Sequence, residues 1–187
     1  MHNYGIYLSR ETKMKHFSLI IIALLLSVTA FAQTNIETDF TQTKVMKVSG
    51  KTTEKAGHII FDGNDHLTMT YSEPEGEYFI IEGDMVKINM DGKKAELDAN
   101  KVKMVGLQRS TLLNCLKDNW EQAATDNNAE LTITEEKGIK TVSIVANGKV
   151  PKGGYKSVVL TYRLSDGKMT KMVLEEAIGA INTYNIE

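Results

Sequence analysis

The chain has a single cysteine, Cys115, in 187 residues, so no intrachain disulfide can staple it. Two prolines and 14 glycines are too few for a collagen-like or low-complexity chain. Aromatic residues make up only 7%, with one tryptophan, so any core must be built mainly from aliphatic side chains. Neither sign of charge dominates, since 22 basic and 24 acidic residues leave a net charge of −2. Nucleic-acid binders need a basic surface that displaces counterions, and no such partner is expected here. What is present, 42% hydrophobic and 25% charged residues, is the composition of an ordinary globular domain.

Long apolar runs are also scarce. The one example, Phe17 to Thr29, follows Met14-Lys15-His16 and ends in Ala30-Phe31-Ala32-Gln33. A basic start, an apolar stretch and an Ala-x-Ala finish are the parts of a secretory signal. The run is also shorter than the roughly 20 residues that a membrane span requires. Residues 1–32 are therefore read as a signal peptide, with Met14 as the expected true start and residues 33–187 as one domain. Removing 1–32, which hold Arg10, Lys13, Lys15 and Glu11, takes the net charge to −4. No cysteine stands at the cleavage point to carry a lipid, so an exported, soluble and monomeric protein is expected.

The remainder alternates. Leu67, Met69 and Tyr71 are interleaved with Thr68 and Thr70, and Val86, Ile88 and Met90 with Lys87 and Asn89. Such period-two patterns predict strands with one apolar face. Paired runs flank turn residues: Phe40–Val48 and Thr52–Phe61 around Ser49-Gly50-Lys51, and 77–82 and 85–90 around Gly83-Asp84. Further strands are predicted at 131–134, 139–146, 155–164 and 168–175, the last pair joined by Asp166-Gly167. Only Lys101 to Trp120 changes period, with Val102, Val105, Leu112, Leu113, Leu116 and Trp120 at helical spacing. Gly106 is expected to break this stretch into two short helices. Consecutive hairpins imply an antiparallel sheet, and an inserted helix must cover one of its faces. The expected fold is mainly β with short α: an incomplete, strongly curved antiparallel barrel with a helical lid over its concave side.

Chemistry finds little purchase. His58 and His66 with Asp62 and Asp65 could form a metal cluster, but Asp62-Gly63-Asn64-Asp65 has the residues of a polar turn. Cys115 lies between leucines with no histidine nearby to activate it, which reads as a small buried hydrophobe. No Gly-x-Ser-x-Gly, phosphate loop or His-Glu-x-x-His occurs. Neither catalysis, metal nor cofactor is expected. Seven methionines beyond residue 32, among them Met69, Met90 and Met172, instead suggest an adaptable apolar interior.

Five elements occur in a suggestive order. They are Asp39-Phe40-Thr41-Gln42-Thr43, a strand ending Ile60-Phe61-Asp62-Gly63, Leu67 to Pro74, the hairpin Glu82-Gly83-Asp84, and Ser110 to Leu116. Together they resemble the periplasmic outer-membrane lipoprotein carrier family, LolA, over about residues 38–175. The resemblance implies a carrier of lipoprotein acyl chains between an inner-membrane release complex and an outer-membrane acceptor, without catalysis. Leu67 and Met69 would match the family's inward-facing strand, and Leu112, Leu113 and Leu116 the apolar face of its lid. The hydrophobic wall is assigned to Phe40, Ile60, Leu67, Met69, Tyr71 and Ile80 on the early strands. Val86, Ile88, Met90, Leu160, Met172 and Leu174 complete it. Three family features have no counterpart: an arginine near Gly63–Asp65 that ties barrel to lid, a long first helix, and the usual C-terminal finish after Tyr184. A cell-envelope module that docks a protein partner on the same scaffold is the alternative.

Overall fold

The computed structural model describes residues 35–187. The expected signal peptide and both candidate start methionines lie outside the described residues. Six strands come first: β1 (Ile36–Met46), β2 (Thr52–Phe61), β3 (His66–Glu73), β4 (Glu75–Glu82), β5 (Met85–Met90) and β6 (Lys93–Asp98). Helices α1 (Lys103–Leu116) and α2 (Trp120–Asp126) follow. The chain then adds β7 (Ala129–Glu136), β8 (Ile139–Ala146), β9 (Tyr155–Arg163), β10 (Met169–Glu176) and β11 (Ala180–Ile186).

All eleven strands form one sheet in the order β6-β5-β4-β3-β2-β1-β11-β10-β9-β8-β7. Every neighbouring pair is antiparallel. The first and last strands meet in the middle, while β6 and β7 are the two free edges. The segment that joins those edges in sequence is the one that holds both helices. The open, mainly β architecture expected from the pattern of hairpins is thus the one found.

Alternation sets which face each strand buries. Leu67, Met69 and Tyr71 are buried in β3, as are Val158, Leu160 and Tyr162 in β9 and Met172 and Leu174 in β10. Gly83 and Gly167 take positive φ values of 52° and 70° at hairpin tips, where a Cβ would be strained.

The inner face carries two apolar clusters. One gathers Phe40, Ile59, Phe61, Leu67 and Ile81 with Leu113 and Leu116 of α1. The other gathers Val142, Ile144, Val158, Leu160 and Met172 with Leu112 and Cys115. Alternate flanks of one helix therefore serve two wings of the sheet, with Phe79, Met169 and Tyr184 touching both clusters. Each large apolar side chain buried this way stabilises the fold by about 1.5–3 kcal/mol.

One sequence expectation needs correction, and two strands lie outside the predicted set. Gly106 does not break the helix, since α1 runs straight through it. Its role is a close approach: a Cβ there would lie 2.6 Å from the carbonyl oxygen of Ala99. Strand β6 went unpredicted because Lys93-Lys94-Ala95-Glu96 has no apolar alternation; it is an exposed, charged edge. Strand β11 lies beyond the predicted strands, and its Ala180, Asn182 and Tyr184 continue the inner face.

Candidate functional site

Between the two wings and α1 lies an apolar cavity of about 70 Å³. Ile59, Leu67, Met69, Tyr71, Phe79 and Met90 form one wall, and Tyr155, Met172, Leu174 and Tyr184 the other. Leu112 and Leu116 close it from above. Ligand pockets commonly measure about 300–1,000 Å³, so this interior is almost filled by the protein's own side chains. A second pocket of about 230 Å³ shares Phe79, Met90, Tyr155, Leu174 and Tyr184 with it.

This second pocket is a mouth with an apolar floor and a polar rim. Val86, Ile88 and Leu97 add to the floor, while Gln42, Lys44, Gln108, Arg109, Glu176 and Asn182 supply the polar groups. Deeper in, burial pushes the Tyr184 hydroxyl up to about 12. Burial raises Tyr155 and Tyr162 as well, so the interior phenols are neutral at physiological pH.

The roof over the mouth is the first half of α1, which is only half-buried. Two successive side chains hold it down. Gln108 donates from Nε2 to the carbonyl of Gly153, between β8 and β9. Arg109 donates from Nε to the carbonyl of Gly83, in the β4–β5 turn, at 2.6 Å. Its guanidinium also lies 3.8 Å from Asp65 and 3.7 Å from Asp84. Arg109 thus reaches from the helix to the turn region around Asp65 and Gly83. Together Gln108 and Arg109 form a clasp between the two wings.

The second half of α1 is fixed differently. Thr111, Leu112, Leu113, Cys115 and Leu116 are buried. Just past the helix, Asp118 accepts a hydrogen bond from the Tyr162 hydroxyl at 2.8 Å, and Trp120 Nε1 donates to that same oxygen at 3.3 Å. Burial pushes the Cys115 thiol up to about 12, which leaves it protonated and unreactive.

Of the twelve wall residues assigned from sequence, Leu67, Met69, Tyr71, Met90, Met172 and Leu174 line the cavity itself. Val86 and Ile88 line its mouth, whereas Phe40 and Leu160 are buried in the clusters behind it. Two assignments fall on the wrong face. Ile60 is 45% exposed and stands opposite Glu37 and Thr68. Ile80 stands opposite Thr68 and Lys87 on that same outer side. Their neighbours Ile59 and Ile81 point inward instead. Among the lid residues, Leu112 and Leu116 touch the cavity, while Leu113 packs on the early strands. Sequence reasoning missed Ile59, Phe79, Tyr155 and Tyr184. Tyr184 shares the alternation of Ala180 and Asn182, and Ile59 and Phe79 are set by their pairing with Met69. Tyr155 lines the cavity past a register shift in the β9–β10 ladder, where alternation from Val158 would place Lys156.

The Asp/His group is a turn. Asp62 Oδ1 accepts from the backbone N–H of Asn64 at 2.8 Å and of His66 at 3.2 Å. Asp62, Asp65 and His66 do lie close enough to share a cation, but Arg109 already faces Asp65. His58 is not among them and pairs with Asp39 at 2.7 Å.

No protein-family model matches the sequence, and no curated protein matches it either. Several solved structures are similar in shape. A LolA superfamily protein from Nitrosomonas europaea aligns at 10% identity and a TM-score of 0.39, over 83% of this chain and 84% of that one. A chain from the complex of the CwlD amidase with the GerS lipoprotein of Clostridioides difficile aligns at 15% identity and 0.40, over 95% and 92%. The lipoprotein LppX from Mycobacterium tuberculosis aligns at 11% identity and 0.33, over 90% and 94%. Among the described residues, no helix is long and apolar enough to cross a membrane.

Proposed function

We propose that this protein is a non-enzymatic periplasmic carrier that holds the acyl chains of lipoproteins, or of similar lipids, between its curved sheet and α1. The observation that carries this reading is an apolar interior that shares wall residues with an adjoining polar-rimmed mouth, roofed by a half-buried helix segment. Each methylene moved from water into such a site is worth about 0.8 kcal/mol. A chain of about fifteen would gain ~12 kcal/mol in full burial, too much for a cargo that must be handed on. A nearly closed resting interior solves this problem, because parting the clasp consumes part of that gain. Delivery toward an outer-membrane acceptor, after loading at an inner-membrane complex, is the route that fits this chemistry.

The test is native mass spectrometry of the protein purified from membranes, followed by binding of a fluorescent acyl probe to the delipidated protein. Co-purified acyl species and saturable probe binding at one site are the expected results. A second reading, a module that docks a protein partner, is favoured by the small interior volume of about 70 Å³. Repeated absence of lipid and no probe binding would select it.

A further inference from the structure

Gln42 Oε1 is buried and has no hydrogen-bond partner among the described residues. Its orientation follows from the groups around it. The Glu176 carboxylate can only accept, so Asn182 must turn Nδ2 toward it, at 2.7 Å. Asn182 Oδ1 then faces Gln42, which donates to it from Nε2 at 3.0 Å. Gln42 is left with an acceptor and nothing to donate to it. The ammonium of Lys55, directly across from Gln42 in the β1–β2 register, is committed to Glu77 and Asp91. Gln42 is 3% exposed and lines the 230 Å³ mouth.

We infer that Gln42 is a headgroup subsite: its carbonyl accepts a hydrogen bond from an amide N–H or a hydroxyl carried beside the ligand's acyl chain. The inference rests on the carrier reading and names the class of cargo. Both signs of charge line the mouth, in Lys44, Arg109 and Glu176, so net charge does not select the headgroup. A donor does. An amide or a glyceryl hydroxyl matches the unmet acceptor, whereas an ester leaves it unmatched and shields it further from water.

The test uses the delipidated full-length protein and displacement of a fluorescent acyl probe. N-methylpalmitamide and methyl palmitate differ only by N–H in place of O, and 1-monopalmitoylglycerol offers hydroxyls instead. The amide is expected to bind about tenfold more tightly than the methyl ester. A monoglyceride that outcompetes the amide would identify the hydroxyl as the natural donor. Gln42→Met keeps the length and removes the acceptor, and should bring the amide-to-ester ratio to about one while ester affinity is retained. A wild-type ratio near one overturns the subsite and leaves the carrier standing, as does an unchanged ratio in Gln42→Met. Should that variant not fold, the wild-type ratio decides. If the probe and all three lipids fail to bind, the carrier reading falls and the subsite with it.

Discussion

From Thr111 to Leu116, α1 is sunk between two apolar clusters; from Lys103 to Ser110 it lies across the mouth, half-buried or exposed. The first half begins at Val102 without a side-chain cap, has no acidic residue in its first turn and contains Gly106. Each of these weakens a helix, by about 1 kcal/mol for the missing cap and a similar amount for the glycine. The second half is held by packing, the first by two polar side chains. One helix thus combines a packed anchor with a more weakly held segment, and the weakly held segment is the one over the mouth.

That contrast can be broken most forcefully at Leu116, which is 1% exposed. Leu116→Ala should lower unfolding stability by about 2–5 kcal/mol in denaturant titrations, whereas Val105→Ala should lower it by less than about 1 kcal/mol. Equal losses would mean that the two halves are not differently anchored. Next in size is the clasp. Replacing Gln108 and Arg109 together with alanine should cost about 1–3 kcal/mol and speed acyl-probe uptake, measured by stopped flow. Slower or unchanged uptake would show that the roof is not the gate.

A smaller effect concerns the anchored end. Burial raises the Asp118 carboxyl above its ordinary value of 3.8, against the lowering by Tyr162 and Lys140. An acid raised on folding loses stability as pH climbs from that ordinary value through the folded one. Asp118→Asn should therefore be more stable than wild type at neutral pH, by no more than about 1 kcal/mol because the site is partly solvated. The advantage should vanish below about pH 4, as thermal melts across pH would reveal. The smallest expectation is no change at all: Cys115 should resist thiol reagents with and without bound lipid. A cysteine placed at Val105 should react readily and be affected by ligand.

Much of this was legible in the chain itself. Threonines between Leu67, Met69 and Tyr71, or Lys87 between Val86 and Ile88, leave one choice of inner face. Where two isoleucines adjoin, at Ile59-Ile60 and Ile80-Ile81, alternation offers no preference and only pairing decides. The register Phe61↔Leu67 and Leu67↔Ile81 puts Ile59 and Ile81 inside, and Ile60 and Ile80 out. Gly106 misled because a glycine within a helical period reads as a break, while here it permits contact with Ala99. The clasp was invisible for another reason. Gln108 and Arg109 are ordinary polar residues until the sheet brings Gly153 and Gly83 to either side of them.

The path of the chain adds one consequence. The segment with the helices is sewn to the sheet at both borders, leaving β6 and rejoining at β7, and these borders share no ladder of hydrogen bonds. A sealed hoop could widen only by rupturing such a ladder. This cut hoop can spread by relaxing the twist between neighbouring strands, and the seam across the gap tightens as it does. A bulky guest that stretches the ribbon therefore loads the clasp of Gln108 and Arg109, which joins the half-buried part of α1 to both wings.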